Sequence, residues 1–190
     1  RKLIAVGTCA LSGGVAQFKD NHIARESFIK ASHRLRMPDM LPNAYPLDRF
    51  VDVDLYLPGC PPTPELFMTA LKEPENAKIA SIVCQECGRQ KLNDMRPKHL
   101  TGSRSGVVLP DICLINQGYL CLGTSTRGGC GALCTRPGHA CVGCRGPANP
   151  YLNKDPEFVL DNLRRVFTRM TDIPIEEINA ALASPWLSLF

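Results

Sequence analysis

The stretch that decides the fold reads CLGTSTRGGCGALCTRPGHACVGC and covers residues 121–144. It holds five cysteines and six glycines, and its apolar residues follow neither a helical nor a strand period. A segment of this kind, and the equally irregular chain from residue 84 onward, cannot bury enough apolar surface to hold one shape. We therefore expect the cysteine side chains to stabilise it through bonds of their own.

Eight cysteines lie between residues 84 and 144 and form two sets of four. Their spacing is C-x2-C-x25-C-x7-C-x8-C-x3-C-x6-C-x2-C, beginning at Cys84 and ending at Cys144. The two C-x-x-C pairs are poor disulfide partners, and a disulfide framework also requires an oxidising compartment. Each pair can instead place two sulfurs on one metal centre through a tight turn. By spacing alone, two four-thiolate zinc sites and two 4Fe–4S clusters remain open.

The charge balance agrees with buried negative centres. The net charge is +4, and Arg127, Arg136 and Arg145 stand beside cysteines. Either four-thiolate centre carries a charge of about −2, so these arginines are predicted to compensate it. Aromatic residues make up 6 % of the chain, which argues against a base-stacking platform for nucleic acid. A second basic group is predicted to be a solvated loop: Arg89, Lys91, Arg96, Lys98 and Arg104.

The residues before Cys84 favour an α/β arrangement. Leu3 to Val6 predicts a short buried strand, and Val51 to Leu57 alternates apolar residues with aspartates, as a second strand does. Thr63 is a good N-cap for a helix with Pro64 at its first position. The apolar face of that helix is predicted to contain Leu66, Phe67, Ala70 and Leu71. Between the strands we expect a weak helical stretch over 22–36 and an extended loop over 37–49.

The chain divides into three predicted regions. Residues 1–80 form an α/β domain, residues 81–150 an irregular domain, and residues 151–190 a helical tail. In the tail, one helix is predicted to start at Asp155 with Leu160, Leu163, Phe167 and Met170 on one face, and another to run from Pro174 to Ala183. No run approaches the roughly 18 apolar residues that cross a bilayer. Because the sequence opens inside a strand without Met, we expect further residues upstream.

Three motifs resemble one family. GTCA at residues 7–10, LPGCPPTPE at 57–65 and GHACVGC at 138–144 are similar to the small, electron-transferring subunit of nickel–iron hydrogenases. The first two are shared with the homologous cluster-bearing subunit of NADH:quinone oxidoreductase. The eight downstream cysteines favour the hydrogenase, because the quinone-reductase relative carries one cluster. The resemblance implies a flavodoxin-like partial sheet, followed by a cluster-binding domain.

The resemblance also implies a role for every cysteine. Cys9 and Cys60 match two ligands of the proximal cluster, whose other ligands come in the family from a Cys-x-x-Cys before Arg1. The distal 4Fe–4S cluster is matched by Cys84, Cys87, Cys113 and Cys121. The medial 4Fe–4S cluster is matched by Cys130, Cys134, Cys141 and Cys144. The four histidines are expected to be surface residues or neighbours of ligands: His22, His33, His99 and His139.

Two departures from the family pattern indicate a subtype. Cys84 stands where many membrane-linked relatives have His. Many relatives also have Pro near Cys134 and hold a 3Fe–4S cluster, whereas the four thiolates here imply a 4Fe–4S cluster. Both resemble the cytosolic viologen-, deazaflavin- and NAD(P)-linked hydrogenases. The implied partners are a large subunit that holds the nickel–iron centre and a further flavin- or iron–sulfur-containing subunit, without nucleic acid or a membrane span. This chain would then hold no catalytic residue. A quinone-reductase subunit and a zinc-stabilised interaction module are the alternatives.

Overall fold

The computed structural model describes residues 2–14, 30, 34, 44–74, 82–102, 108–148 and 156–183. Its elements combine a small parallel sheet with helices, which is an α/β arrangement. In chain order they are β1 (Ile4–Val6), α1 (Thr8–Ser12), a 3-10 turn (Leu47–Arg49), β2 (Leu55–Leu57), α2 (Pro64–Lys72), α3 (Val83–Cys87), a second 3-10 turn (Ile115–Gln117), α4 (Pro156–Met170) and α5 (Ile175–Leu182).

Strands β1 and β2 pair in parallel, with Ile4 opposite Leu55 and Val6 opposite Leu57. The second strand is shorter than the predicted Val51–Leu57, because β1 offers no partner beyond its own start. The Asp54 carboxylate accepts a hydrogen bond from the Leu3 N–H at 2.7 Å and ends the pairing there. The first strand is buried only at Ala5, whereas Leu3 and Val6 are exposed.

Helix α2 begins as the sequence predicts. The Thr63 hydroxyl accepts a hydrogen bond from the Leu66 N–H at 3.3 Å, and Pro64 occupies the first turn. Only part of the predicted apolar face is buried: Leu66 and Ala70 contact the sheet, but Phe67 and Leu71 are exposed. The two short strands described here cover only a narrow stripe of the helix.

The cysteine-rich region contributes to an apolar core that no periodic pattern in its own sequence predicts. Val83, Leu114, Ile115 and Leu122 are buried in one cluster with residues of helices α4 and α5. On α4, Leu163 and Phe167 lie in the centre of this cluster and Leu160 and Met170 at its edge, which confirms the predicted face. The apolar neighbours that the irregular region lacks within itself are therefore supplied by helices far along the chain.

Arg96 is exposed, as the prediction of a solvated loop requires, but its guanidinium also binds the end of a helix. Its guanidinium donates to the carbonyls of Arg169 at 2.6 Å and Thr171 at 2.7 Å, and to the Asp172 carboxylate at 2.8 Å. These carbonyls lie at the C-terminal end of α4, where a helix leaves acceptors unsatisfied. Arg96 therefore binds the loop that follows α3 to the C-terminal end of α4.

Some predictions fall outside the described residues. They are the stretch 22–36 apart from Lys30 and Arg34, the first part of the loop 37–49, Asp155, His22, His33 and Arg104. In the part of the chain that is described, no helix combines the length and apolar character that a membrane crossing requires.

Candidate metal centres

All ten cysteines lie within the described residues, and each is a free thiol. Cys121 and Cys141 are buried, whereas Cys9, Cys60 and Cys134 are exposed. The remaining five are half-buried. No disulfide therefore supports this region, and the sulfurs are free to bind a soft metal or cluster.

Cys130, Cys134, Cys141 and Cys144 surround one cavity. Its walls also include Val83, Thr126, Ala132, Val142 and Arg145. The loop between the first two cysteines turns sharply at Ala132, whose φ of 55° is in the left-handed region. The Cys134 carbonyl then accepts the His139 N–H at 2.9 Å, which brings the chain back toward Cys141. Thus the structure brings together the four residues that the resemblance assigns to one cluster.

Burial makes the free thiolates of this set costly. Burial raises the pKa of Cys141 to about 12, with a further contribution from Cys121, against the opposing Gly143 N–H and Thr126 hydroxyl. Burial likewise raises the pKa of Cys144, and Cys134 and Cys130 add to it. In the absence of a cation, burial therefore favours the protonated forms of Cys141 and Cys144. A metal or cluster that binds here must displace those protons, and its positive charge supplies the compensation.

The first set of four cysteines also lies close together; its members are Cys84, Cys87, Cys113 and Cys121. Cys84 and Cys87 are one turn apart on α3, so both face the same side. Burial raises the pKa of Cys84 to about 11; Lys91 opposes this, and Cys113, Cys87 and Cys141 add to it. Burial also raises the pKa of Cys121 to about 11, with N–H groups opposing and Cys84 and Cys113 adding. These mutual influences mark the four side chains as neighbours.

Helix α3 is held against the loop that leads to the second set. The Val83 N–H donates to the Thr126 carbonyl at 3.0 Å, and the Cys84 N–H donates to the Gly123 carbonyl at 3.4 Å. Two N-terminal donors of the helix are thereby satisfied by this loop. The two sets of cysteines are consequently parts of one framework.

Cys9 lies in the first turn of α1, which follows β1, and Cys60 lies on the loop that follows β2. The Gly7 N–H donates to the Leu57 carbonyl at 2.8 Å, and the Thr8 N–H donates to the Gly59 carbonyl at 3.0 Å. Gly59 has a φ of 143°, and a Cβ there would lie 2.6 Å from the Cα of Pro62. A larger residue at 59 would clash with the backbone of Pro61 and Pro62 and distort the turn that carries Cys60.

Hydrogen bonds to sulfur and carbonyl join the three groups of cysteines. The backbone N–H of Cys60 lowers the pKa of the Cys144 thiol, against the larger effect of burial, which raises it. The Thr8 hydroxyl donates to the carbonyl of Cys144. The Cys141 N–H donates to Sγ of Cys121 at 3.3 Å. The second set of cysteines therefore lies between the segment that carries Cys9 and the first set, and it contacts both.

Two arginines that the sequence placed beside the cysteines are buried there. Arg145 is 2 % exposed and lines the cavity, and its Nε donates to the Gly128 carbonyl at 2.7 Å. Arg127 is 8 % exposed. Burial lowers the pKa of both guanidinium groups, and at Arg127 the charge of Arg145 lowers it further. Arg136 differs, because it is exposed and donates to the Glu86 carbonyl at 3.3 Å.

Arg89 is a structural residue that the sequence did not reveal. Its guanidinium donates to the carbonyls of Thr135 at 2.7 Å and Arg136 at 3.1 Å, just after Cys134. It also donates to those of Leu109 at 2.7 Å and Ile112 at 2.9 Å, just before Cys113. The prediction of a solvated side chain was wrong here, because distant carbonyls converge on it. No local pattern signals such a contact.

The two histidines that the structure describes, His99 and His139, are exposed. His99 is on the surface, with Nδ1 3.4 Å from a carboxylate oxygen of Glu177, and His139 is also exposed. Within the described ranges, no group of three or more His, Cys, Asp or Glu side chains is arranged around a single ion. Cys130, Cys134, Cys141 and Cys144 instead line a cavity.

The comparisons with known proteins agree with this chemistry. Residues 1–73 match the family model described as NADH ubiquinone oxidoreductase, 20 Kd subunit. A vhu subunit of the F420-non-reducing hydrogenase of Methanococcus voltae is 36 % identical in an alignment of 171 positions that covers 80 % of this chain and 58 % of the relative. The iron-sulfur subunit of the F420-non-reducing hydrogenase of Archaeoglobus profundus is 30 % identical in an alignment of 183 positions that covers 78 % of this chain and 57 % of the relative.

A third relative, the Sulfhydrogenase 2 subunit delta of Pyrococcus furiosus, is 33 % identical over 150 residues, which are 77 % of this chain and 55 % of the relative. A crystal structure of NAD+-reducing [NiFe]-hydrogenase in the H2-reduced state shares 34 % identity with a TM-score of 0.31, over 41 % of this chain and 51 % of that chain. That TM-score is too low to bear on the fold. The chain spans a little over half the length of these curated relatives.

The relatives are subunits of oxidoreductases, and one of them is named for iron and sulfur. Their similarity extends over most of this chain, including the cysteine-rich region that the family model does not reach. Over most of its length the chain is similar to subunits of F420-non-reducing hydrogenases, one of them an iron-sulfur subunit, and its first 73 residues match the 20 Kd subunit family of NADH ubiquinone oxidoreductase.

Proposed function

We propose that this chain is the electron-transfer subunit of a nickel–iron hydrogenase. It relays electrons between an active site on a partner large subunit and a redox partner through iron–sulfur clusters. The observation that carries the proposal is the cavity surrounded by Cys130, Cys134, Cys141 and Cys144, with the other cysteines next to it.

The donor set suits such clusters. Thiolates are the ligands of 4Fe–4S centres, and the corner irons of a cage lie apart, so four sulfurs around a cavity are a fitting arrangement. In this proposal the second set holds the medial cluster, and Cys84, Cys87, Cys113 and Cys121 hold the distal one. Cys9 and Cys60 supply two ligands of the proximal cluster. When bound, the clusters supply one-electron oxidation and reduction.

The residues of this chain contribute spacing and electrostatics. The hydrogen bond from Thr8, next to Cys9, to the Cys144 carbonyl and the one from Cys141 to Cys121 support the proposed order proximal, medial, distal. N–H groups that donate to sulfur stabilise negative charge there and so raise a reduction potential. The apolar core under Val83 and Leu122 limits the access of water.

Exposed apolar side chains support a partner at the end of the molecule that carries Cys9 and Cys60. Phe67, Met68 and Leu71 on α2 are exposed, and Phe50 and Val51 before β2 are as well. Apolar side chains concentrated in this way are typical of protein interfaces. We assign this end to the large subunit that holds the nickel–iron centre.

The finer identity follows the two cysteine substitutions. Cys84 and Cys134 favour a cytoplasmic hydrogenase of the viologen-, deazaflavin- or NAD(P)-linked type, with a further flavin- or iron–sulfur-containing subunit as acceptor and no contact with nucleic acid. The proposal includes a flavodoxin-like sheet in residues 1–80, a cluster-binding domain in 81–150 and a helical tail in 151–190.

A subunit of NADH:quinone oxidoreductase is the second candidate, because the matching family model carries that description. Iron and acid-labile sulfide per chain separate the candidates in anaerobically purified protein. About eight irons are expected from the two complete clusters and about twelve with the proximal one, whereas a single cluster gives about four. Colourless protein with bound zinc and no sulfide would overturn the proposal in favour of a zinc-stabilised module.

The ligand assignment has its own test. We expect Cys134→Pro to convert the medial cluster to a three-iron form with a changed electron paramagnetic resonance spectrum. The matched control is Leu133→Ala, because Leu133 is the exposed neighbour of Cys134 and carries no ligand atom. An unchanged spectrum in the Cys134→Pro protein would contradict the assignment.

A further inference from the structure

Arg145 is buried in the cavity wall with most of its donors unused. Its Nε bonds the Gly128 carbonyl, but Nη1 and Nη2 have no accessible surface and no hydrogen-bond partner in the described residues. A buried guanidinium without partners is strongly unfavourable, so native proteins pair it with an anion. The unused N–H groups therefore point to an anionic guest in the cavity.

The surrounding charges compensate the buried guanidinium groups only in part. Arg127 brings a second buried guanidinium, and its Nε also has no hydrogen-bond partner among the described residues. Glu86 is the carboxylate that acts on Arg145, and one of its oxygens already accepts the Gly129 N–H. Two cations near one carboxylate leave an excess positive charge beside Cys130 and Cys144.

We propose that Arg145 is a positioning residue for the medial cluster, donating its Nη hydrogens to sulfur there and raising the cluster's reduction potential. The inference rests on the proposed function, since it requires a cluster held by the second set. A fixed positive charge favours the more negative, reduced state, so removal of the guanidinium disfavours reduction.

The test is a redox titration of the purified protein, monitored by electron paramagnetic resonance, with iron and sulfide counted in each sample. The medial signal is identified as the one that changes in Cys134→Pro. For Arg145→Met we expect reduction to become at least about tenfold less favourable, a decrease of about 59 mV for one electron. Arg145→Lys keeps the charge but loses the planar donors, and we expect a smaller decrease.

The matched control is Arg165→Met, which removes the same charge from α4. Arg165 is 78 % exposed and pairs with Asp161, so its loss should leave the potential unchanged. A loaded Arg145→Met protein with the potential of this control would overturn the inference. If that variant fails to bind iron, Arg145→Lys decides in its place: a lowered potential supports the inference, and an unchanged potential overturns it.

The two failures are distinguishable. Wild-type protein that contains no sulfide overturns the proposed function itself. Wild-type protein that carries its full iron, together with Arg145 variants of unaltered potential, overturns only the role of Arg145.

Discussion

Replacing Arg89 with Met tests whether one side chain holds both sets of cysteines in place. Its guanidinium makes four hydrogen bonds to carbonyls on the segments next to Cys113 and Cys134. The bonds to Leu109 and Arg136 are exposed, so those carbonyls bind water after the substitution. The bonds to Thr135 and Ile112 are partly buried, and they account for the main loss.

The expected cost follows from the two partly buried bonds. A hydrogen bond to a charged group is worth about 1.5 kcal/mol at the low end, so two give about 3 kcal/mol. Since about 1.36 kcal/mol is a factor of ten, the equilibrium for local opening increases about 150-fold. Met fills a similar volume, so the change reports the lost bonds rather than a cavity.

The assay is the rate at which an iron chelator in solution removes iron from the native protein. When reclosing is faster than capture, this rate follows the population of the open state. The control Arg165→Met loses one exposed pair on a helix, worth about 0.3–0.5 kcal/mol or about a twofold change in rate. If Arg89→Met releases iron within about threefold of the control, the reasoning is refuted.

Three further predictions concern the fold. Phe167→Ala should lower the free energy of unfolding by about 3–5 kcal/mol, because the ring is fully buried. The control is Phe158→Ala, which should cost far less because Phe158 is 52 % exposed on the same helix. Equal denaturant midpoints for the two variants would contradict the core assignment. Thr63→Ala removes the cap of α2 and should cost about 1 kcal/mol, measured against Thr69→Ala, whose exposed hydroxyl bonds only the Glu65 carbonyl; a larger effect at Thr69 would count against the cap. Removal of iron with a chelator should speed amide hydrogen exchange at residues 130–144 far more than at the centre of α4, since the apolar core of α4 remains; uniform acceleration would show that the two regions open as one unit.

Much of the local structure can be predicted from the sequence, because helix caps and hydrophobic spacing depend on only a few neighbouring residues. Thr63 and Pro64 mark the start of α2, and the spacing of Leu163 and Phe167 marks the buried face of α4. The spacing of the cysteines likewise indicates two sets of four, and the structure gathers both. Alternation at Val51–Leu57 predicts a strand correctly but overstates its length, since pairing depends on the neighbouring strand.

Amino-acid order by itself determined the chemistry of this protein: soft sulfur ligands at metal-binding spacing, an α/β beginning and a helical end. Only the tertiary structure decided what Arg89, Arg96 and Arg145 do. Their partners lie between 17 and 76 positions away, and whether a basic side chain meets water or a carbonyl depends on which distant segment folds against it. The same reason explains the core of the cysteine-rich region, because Val83 and Ile115 acquire their apolar neighbours from helices α4 and α5.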